Sequence, residues 1–218
     1  MPPHLTRSKT RIAVFGSFYR GYYVLSELLQ GRLKDRVQVV GVATDDPSQA
    51  YVHPQVRVWN YLHAASEETM VRDLAQRHQL VAHCGSVKTE SFQTLFTQVW
   101  RPDLCVMATF GQRIPPCIFK QPALGFFNLH PCLDDRWPSR YAGSNPFQAL
   151  IDDQQSYTQI AMHRIDAQFD AGELIAYSER IPIPPGVGVV DLHKITSATA
   201  AQLAAAQISI ILDRAGVS

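Results

Sequence analysis

Four short, largely apolar runs, residues 11–16, 37–43, 104–108 and 125–130, are separated by stretches whose apolar residues recur at helical spacing. The run 104–108 is apolar throughout, as in a strand covered on both faces. Strands alternating with helices define the class: an α/β protein with an open, mostly parallel twisted sheet and helices on both faces, rather than a bundle or a sandwich. After the first run, Val24, Leu25, Leu28 and Leu29 keep a helical period up to Gly31, and the second run completes a βαβ unit. Residues 44–65 are polar, aromatic and interrupted by proline, and read as a long loop. It ends where Ser66 caps a helix carrying Glu67 and Glu68 in its first turn. A further strand is expected over 80–84, and a helix over 90–100 that stops before Pro102. After the irregular stretch 131–143, a short helix over 146–151 precedes a strand pair, 158–165 and 173–181, joined by the loop 166–172. A helix over 190–215 closes the chain.

With 218 residues and 46% hydrophobic content the chain can bury one substantial core, so residues 11–218 are expected to form a single domain behind a loose basic tail, residues 1–10. A net charge of +1, with 18% charged residues, gives no electrostatic reason to expect nucleic acid or an anionic membrane as partner. Cys84, Cys105, Cys117 and Cys132 are scattered without Cys-x-x-Cys spacing. They speak against a zinc ribbon or a disulfide scaffold and fit the cytoplasm. No apolar stretch of signal-peptide length follows the tail.

Open α/β sheets collect ligands at the C-terminal ends of their strands. Two such ends carry chemistry here. Asn128 and His130 stand two apart at the end of an apolar run, so an extended chain points both to one face. Met107-Ala108-Thr109-Phe110-Gly111-Gln112 leaves the neighbouring run. The later segment Phe169-Asp170-Ala171-Gly172 adds a carboxylate, although Asp-Ala-Gly is also ordinary turn composition. Between Gly16 and Gly21 the first turn does not match the dinucleotide fingerprint Gly-x-Gly-x-x-Gly and has no P-loop lysine. It suits a tight turn with a modest chance of anion binding at the following helix N-terminus. Asp45 and Asp46 imitate a ribose-binding acid only weakly. Cys132 invites a thiol-nucleophile reading, against which a small packing residue is preferred, and His163 is read as structural or surface.

In order and spacing, the run from Leu104 to Gly111 with Ile114-Pro115, the segment Asn128-Leu129-His130-Pro131, the segment Gly143-Ser144-Asn145-Pro146 and the stretch from Asp166 to Ile175 resemble the N10-formyltetrahydrofolate-dependent formyltransferases. That family includes methionyl-tRNA, glycinamide ribonucleotide and amino-sugar formyltransferases. The resemblance implies a Rossmann-like formyltransferase fold, a catalytic set of Asn128, His130 and Asp170, and 10-formyltetrahydrofolate as co-substrate with no metal. It further implies folate contacts at Met107, Phe110, Gly111, Gln112, Ile114, Ala167, Gln168 and Phe169. Ser17 and Phe18 of the first turn are expected to meet the acceptor. So are Arg136, Trp137, Arg140 and Tyr141, which lie in a segment about four residues longer than the family pattern at this point; an ordinary surface loop is the competing reading.

The expected acceptor is a small amine, such as an amino sugar on a nucleotide carrier or an amine or hydroxylamine derived from an amino acid, and a homodimer is compatible with it. tRNA is disfavoured because little chain follows the closing helix, and glycinamide ribonucleotide because the first loop is bulkier than a glycine-rich phosphate loop. Two other readings stay open: a formyltetrahydrofolate hydrolase, although His130 is followed by Pro131 where hydrolases usually have a second histidine, and a non-catalytic folate- or nucleotide-binding module.

Overall fold

A computed structural model describes residues 9–49, 58–143, 145–168 and 170–216. Most of the tail (1–8), part of the long loop (50–57), Ser144 and the expected folate contact Phe169 lie outside the described residues. The sheet has the order β3-β2-β1-β4-β5-β6-β7. Its parallel half is β1 (Thr10–Gly16), β2 (Val37–Ala43), β3 (Ala82–His83), β4 (Leu104–Ala108) and β5 (Gly125–Cys132). β6 (Tyr157–Arg164) and β7 (Leu174–Tyr177) complete it antiparallel, and a short β8 (Ile181–Pro182) pairs with β6. The expected α/β class is observed, with one shift at the start: Thr10, assigned to the tail, is buried and opens β1 opposite Val37.

Both sheet faces are covered. On one, α1 (Phe18–Gln30), α2 (Ala65–Arg77) and α6 (Val189–Arg214) pack Val24, Leu25, Leu28, Val71 and Ile208 against Ile12, Val14, Val106 and Phe127. On the other, α3 (Glu90–Thr94), its π-helical continuation Leu95–Trp100 and α4 (Pro116–Phe119) close an aromatic core. There Phe92, Phe96 and Trp100, spaced four apart, gather edge-on around Phe15. Each such apolar side chain contributes about 1.5–3 kcal/mol by leaving water. α6 is long and apolar enough to cross a membrane by length and composition, but Leu192, Leu203, Ile208 and Leu212 are buried within the protein, the position of a core helix. α5 (Pro146–Asp152) packs Phe147 and Leu150 beside Leu192.

Further boundaries differ from the sequence reading. α2 begins at Ala65 rather than behind a Ser66 cap, because the Glu67 carboxylate reaches back to the Ala64 N–H at 2.6 Å. Only Ala82–His83 of the segment 80–84 pairs with β2. The strand expected over 173–181 breaks at Ser178, whose hydroxyl takes the ladder hydrogen bond from Ile160 N and passes one to Glu179 O. β5 runs past His130 to Cys132. Its pairing with β4 ends at Asn128, so beyond that point it has one neighbour and tolerates Pro131, which lacks an N–H.

The chain reverses its winding at β1, which has β2 on one side and β4 on the other, and a crevice opens where the two connections part. Gly16 and Gly21 make that turn tight. A Cβ on Gly21 would lie 2.5 Å from the Gly16 carbonyl carbon, so the glycines five apart serve a close approach of helix to strand.

Candidate active site

At the end of its pairing with β4, β5 presents Asn128 and His130 on the same face as Phe126, while Phe127 and Leu129 enter the α1/α6 layer. Asp170 arrives from the turn between β6 and β7, so two segments distant in sequence converge. All three side chains are buried. Asn128 Nδ2 donates to Asp170 Oδ1 at 3.1 Å, Asp170 Oδ2 accepts from Gly143 N at 3.2 Å, and His130 Nδ1 stands 3.6 Å from Asp170 Oδ2.

Hydrogen-bond partners determine where the imidazole protons sit. His130 Nε2 faces the Tyr141 carbonyl at 2.8 Å, and a carbonyl only accepts, so Nε2 carries the hydrogen and Nδ1 of the neutral ring directs its lone pair toward Asp170. A proton taken up at Nδ1 would therefore lie between the ring and a carboxylate. His163 sits directly across the sheet from Asn128. Its Nδ1 faces the Arg164 carbonyl at 3.1 Å, and its Nε2 accepts from Asn128 Nδ2 at 3.2 Å. Burial holds the His163 pKa below its usual value, which keeps the ring neutral and available as an acceptor. The indole of Trp137 packs on this ring at 5.1 Å and donates to Gly172 O at 2.9 Å. His163 thus packs within the cluster, which excludes the surface half of its reading as structural or surface. The signal that would have found it is the pairing of β5 with β6.

Backbone strain marks the same place. Among the described residues, Phe18, Gln79, Arg101, Thr109, Gln154 and Asp170 are the non-glycine residues with positive φ. Gln79, Arg101 and Gln154 end helices, where this conformation is ordinary. The other three follow β1, follow β4 and carry the buried carboxylate, each at a typical cost of about 1–3 kcal/mol.

Two clefts share Met107, Asn128 and Asp170. The first, about 630 Å³ with its open mouth, is lined beyond these by Arg20, Trp59, Phe110, His130, Pro146 and His193. The second, about 410 Å³ again with its open mouth, is walled by Gln112, Ile114, His163 and Ile165, with Asp166 and Gln168 at an exposed rim.

Of the expected folate contacts, Met107, Gln112, Ile114 and Gln168 line the second cleft and Phe110 lines the first. Gly111 lines neither. Its N–H donates to Asp45 Oδ2 at 2.5 Å, and the Ala167 carbonyl accepts from Arg113. Gln112 holds its loop through Val87 N and Gly85 O. Ser17 and Phe18, expected at the acceptor, are buried behind the cleft wall: the Ser17 hydroxyl bonds Asp45 at 3.1 Å, and the Phe18 ring packs on Trp59 and His193. Asp45 also lines the first cleft and is engaged there by the Ser17 hydroxyl and the Gly111 N–H. In the longer segment, Trp137 and Tyr141 touch His163 and His130, whereas Arg136 and Arg140 are exposed, Arg140 beside Asp135. The Cys132 thiol is buried and pushed up to about 12, so it stays protonated and is a packing residue rather than a nucleophile. Arg20 and His193, which sequence reasoning had not placed at the site, both line the first cleft.

A family model described as formyl transferase matches residues 10–206. The methionyl-tRNA formyltransferase of Bradyrhizobium sp. is 32% identical over 108 residues, 50% of this chain and 33% of that protein. The one from Thermotoga maritima is 25% identical over 162 residues, 73% of this chain and 46% of that protein. The chain therefore spans less than half the length of either relative. Among solved structures, the phosphoribosylglycinamide formyltransferase of Streptococcus pneumoniae matches with a TM-score of 0.66 at 15% identity, covering 93% of this chain and 99% of that one. A formyltetrahydrofolate deformylase from Pseudomonas syringae matches with a TM-score of 0.62 at 16% identity, covering 93% of this chain and 62% of that one. These two likenesses establish the fold, and the match along most of the sequence establishes the kinship: the chain belongs to the formyl transferase family.

Proposed function

We propose that this protein transfers the formyl group of 10-formyltetrahydrofolate to the amine of a small biosynthetic acceptor, an amino sugar nucleotide or an amine or hydroxylamine derived from an amino acid. The observation that carries this reading is the convergence of Asn128, His130 and Asp170 between two clefts, where one reactant can approach from each side. The second cleft suits a flat pterin, with Ile114 and Ile165 as apolar walls and Gln112 and the rim residues as polar groups. The first takes the acceptor.

The steps follow from the proton positions. The amine nitrogen attacks the formyl carbon and the carbonyl electrons move to its oxygen. Asn128 Nδ2 donates to Asp170 and His163 within the protein, and donation to the developing oxyanion exchanges one of these bonds. His130 Nδ1 accepts the amine proton, and the imidazolium is held between the Tyr141 carbonyl and the Asp170 carboxylate. Collapse expels N10, which takes that proton, leaving tetrahydrofolate and the N-formylated amine. Asp170 orients the amide and stabilises the charged ring.

Tetrahydrofolate release from 10-formyltetrahydrofolate, followed spectroscopically with and without a panel of amines, tests this. The proposal expects amine-dependent release that falls about 100- to 10,000-fold in His130→Ala. Release that ignores amines would indicate hydrolysis, and a variant as active as the wild type would leave the site without its assigned role.

A further inference from the structure

Arg20 is the third residue of α1, and its side chain is 2% exposed. Its guanidinium makes two long contacts, to Thr109 Oγ1 and Thr196 Oγ1, both at 3.4 Å, and lies 5.3 Å over the Phe147 ring; Nε has no hydrogen-bond partner. Among the described residues no carboxylate forms an ion pair with it. The other titratable ring close by is that of His193, which is neutral: burial first, and then the arginine charge, keep it well below its usual pKa. Burial also lowers the Arg20 pKa to about 9, which leaves it a cation at neutral pH.

Burying a charge is costly unless a partner compensates it, and an arginine fork offers five donors in a geometry matched to oxyanions. Two weak hydroxyl contacts leave most of that capacity unused. The same guanidinium lines the cleft that holds His130 and Asn128. Ser17 gives the N-terminus of α1 no side-chain cap, and the first turn carries no acid, so the helix end adds a partial positive charge beside Arg20, while the carboxylates Asp45 and Asp170, which line the same cleft, are engaged by Ser17, Gly111, Asn128 and Gly143. Thr109 and Thr196 come from the exit of β4 and from α6, which seats the fork on three elements rather than on a mobile loop.

We infer that Arg20 is the receptor for an oxyanion carried by the acceptor, so that the substrate class is a small amine bearing a carboxylate or phosphate on the side of the molecule away from the nucleophile. This inference rests on the proposed formyl transfer for the word acceptor, but not for the anion site itself. Trp59, Pro146 and the Phe147 ring bound the space beside the fork, which suits a compact anion on an otherwise apolar stem.

The test separates the two claims. Thermal midpoints are measured in inorganic phosphate, in acetate and in chloride at matched ionic strength, for the wild type, Arg20→Lys and Arg20→Met, with no folate present. The site predicts a saturable rise with phosphate or acetate in the wild type, a reduced rise in Arg20→Lys and none in Arg20→Met. It also predicts that Arg20→Met without anion is at least as stable as the wild type, because the buried charge has gone. No anion effect on the wild type, or an equal effect on Arg20→Met, overturns the site; a lower midpoint for Arg20→Met without anion, with an unchanged anion response, assigns Arg20 to the scaffold. In a second arm, amines are compared as matched pairs, carboxylate against amide and phosphate against alcohol. A preference for the anionic member of about 100-fold in kcat/KM, falling below about 3-fold in Arg20→Met, is expected for a charge-assisted bidentate contact and identifies which anion is read. Equal preference in the wild type and Arg20→Met overturns the assignment to the acceptor, and absence of turnover with every amine counts against formyl transfer while the first arm still decides the anion site.

Discussion

The two clefts on either side of Asn128 and Asp170 are built on different principles. Apart from the shared Asp170, the cleft proposed for folate is floored by Met107, Ile114, Ile165 and a Gln112 already bonded to backbone, with Arg113 and Asp166 exposed at the rim. The cleft proposed for the acceptor places a buried cation, Arg20, beside a buried neutral histidine, His193. On the proposed function, a flat heterocycle would be selected by shape, and a small flexible amine, which offers too little shape, by charge, so that the wall of Asn128, His130 and Asp170 would serve two reactants chosen by unrelated rules.

The largest effect should come from the shared wall. Asn128→Ala removes the proposed oxyanion donor and is expected to lower turnover about 100- to 1000-fold whichever cleft is saturated. A loss confined to one KM would break the idea of a common wall. Next come the separate walls. Trp59→Leu should raise the acceptor KM, and Ile165→Ala the folate KM, each by roughly 10-fold or more and each leaving the other constant within about twofold. Steady-state kinetics with both substrates varied checks this, and crossed effects would show that the clefts are not independent.

A smaller effect belongs to the loop that floors the cleft proposed for folate. Gln112→Leu leaves the Val87 N–H and the Gly85 carbonyl without their partner and should cost about 1–3 kcal/mol in denaturant unfolding, together with a raised folate KM. Unchanged stability would mean that water replaces the side chain without loss.

The mildest effect is on stability in weak acid. His163 lines one cleft and His193 the other, and burial lowers both pKa values. Below about pH 6.5 the unfolded chain binds protons that the folded chain refuses, so stability falls as pH falls through that window. His193→Leu should flatten part of this slope when midpoints are compared at pH 7 and pH 5. An identical slope would show that its ring is not held neutral.

The parallel strands β1, β2, β4 and β5 were legible in the sequence because each is a largely apolar run, and Asn128 and His130 because strand period two puts them on one face. Asp170 followed from the family resemblance, and the structure brings it to the other two through a turn with positive φ. What escaped depended on pairing or on packing between distant segments. His163 looks incidental until β6 is laid against β5 in register. Arg20 carried a local trace, since Val24 and Leu28, four and eight residues on, share its buried face, but a charge on that face is informative only once Thr196 and Phe147 are seen to close over it. The break at Ser178 and the early start of α2 rest on single side-chain bonds to backbone, which periodicity does not register.

The central claim is that the formyl carbon passes to an amine through the wall of Asn128, His130 and Asp170. The most direct measurement follows carbon-13 in the formyl group of 10-formyltetrahydrofolate by NMR in the presence of amines carrying a carboxylate or phosphate, with the wild type and Asn128→Ala. The account predicts label in an N-formyl product, formed by the wild type and nearly lost in the variant. Label recovered as formate, or product formed equally by both proteins, would contradict it.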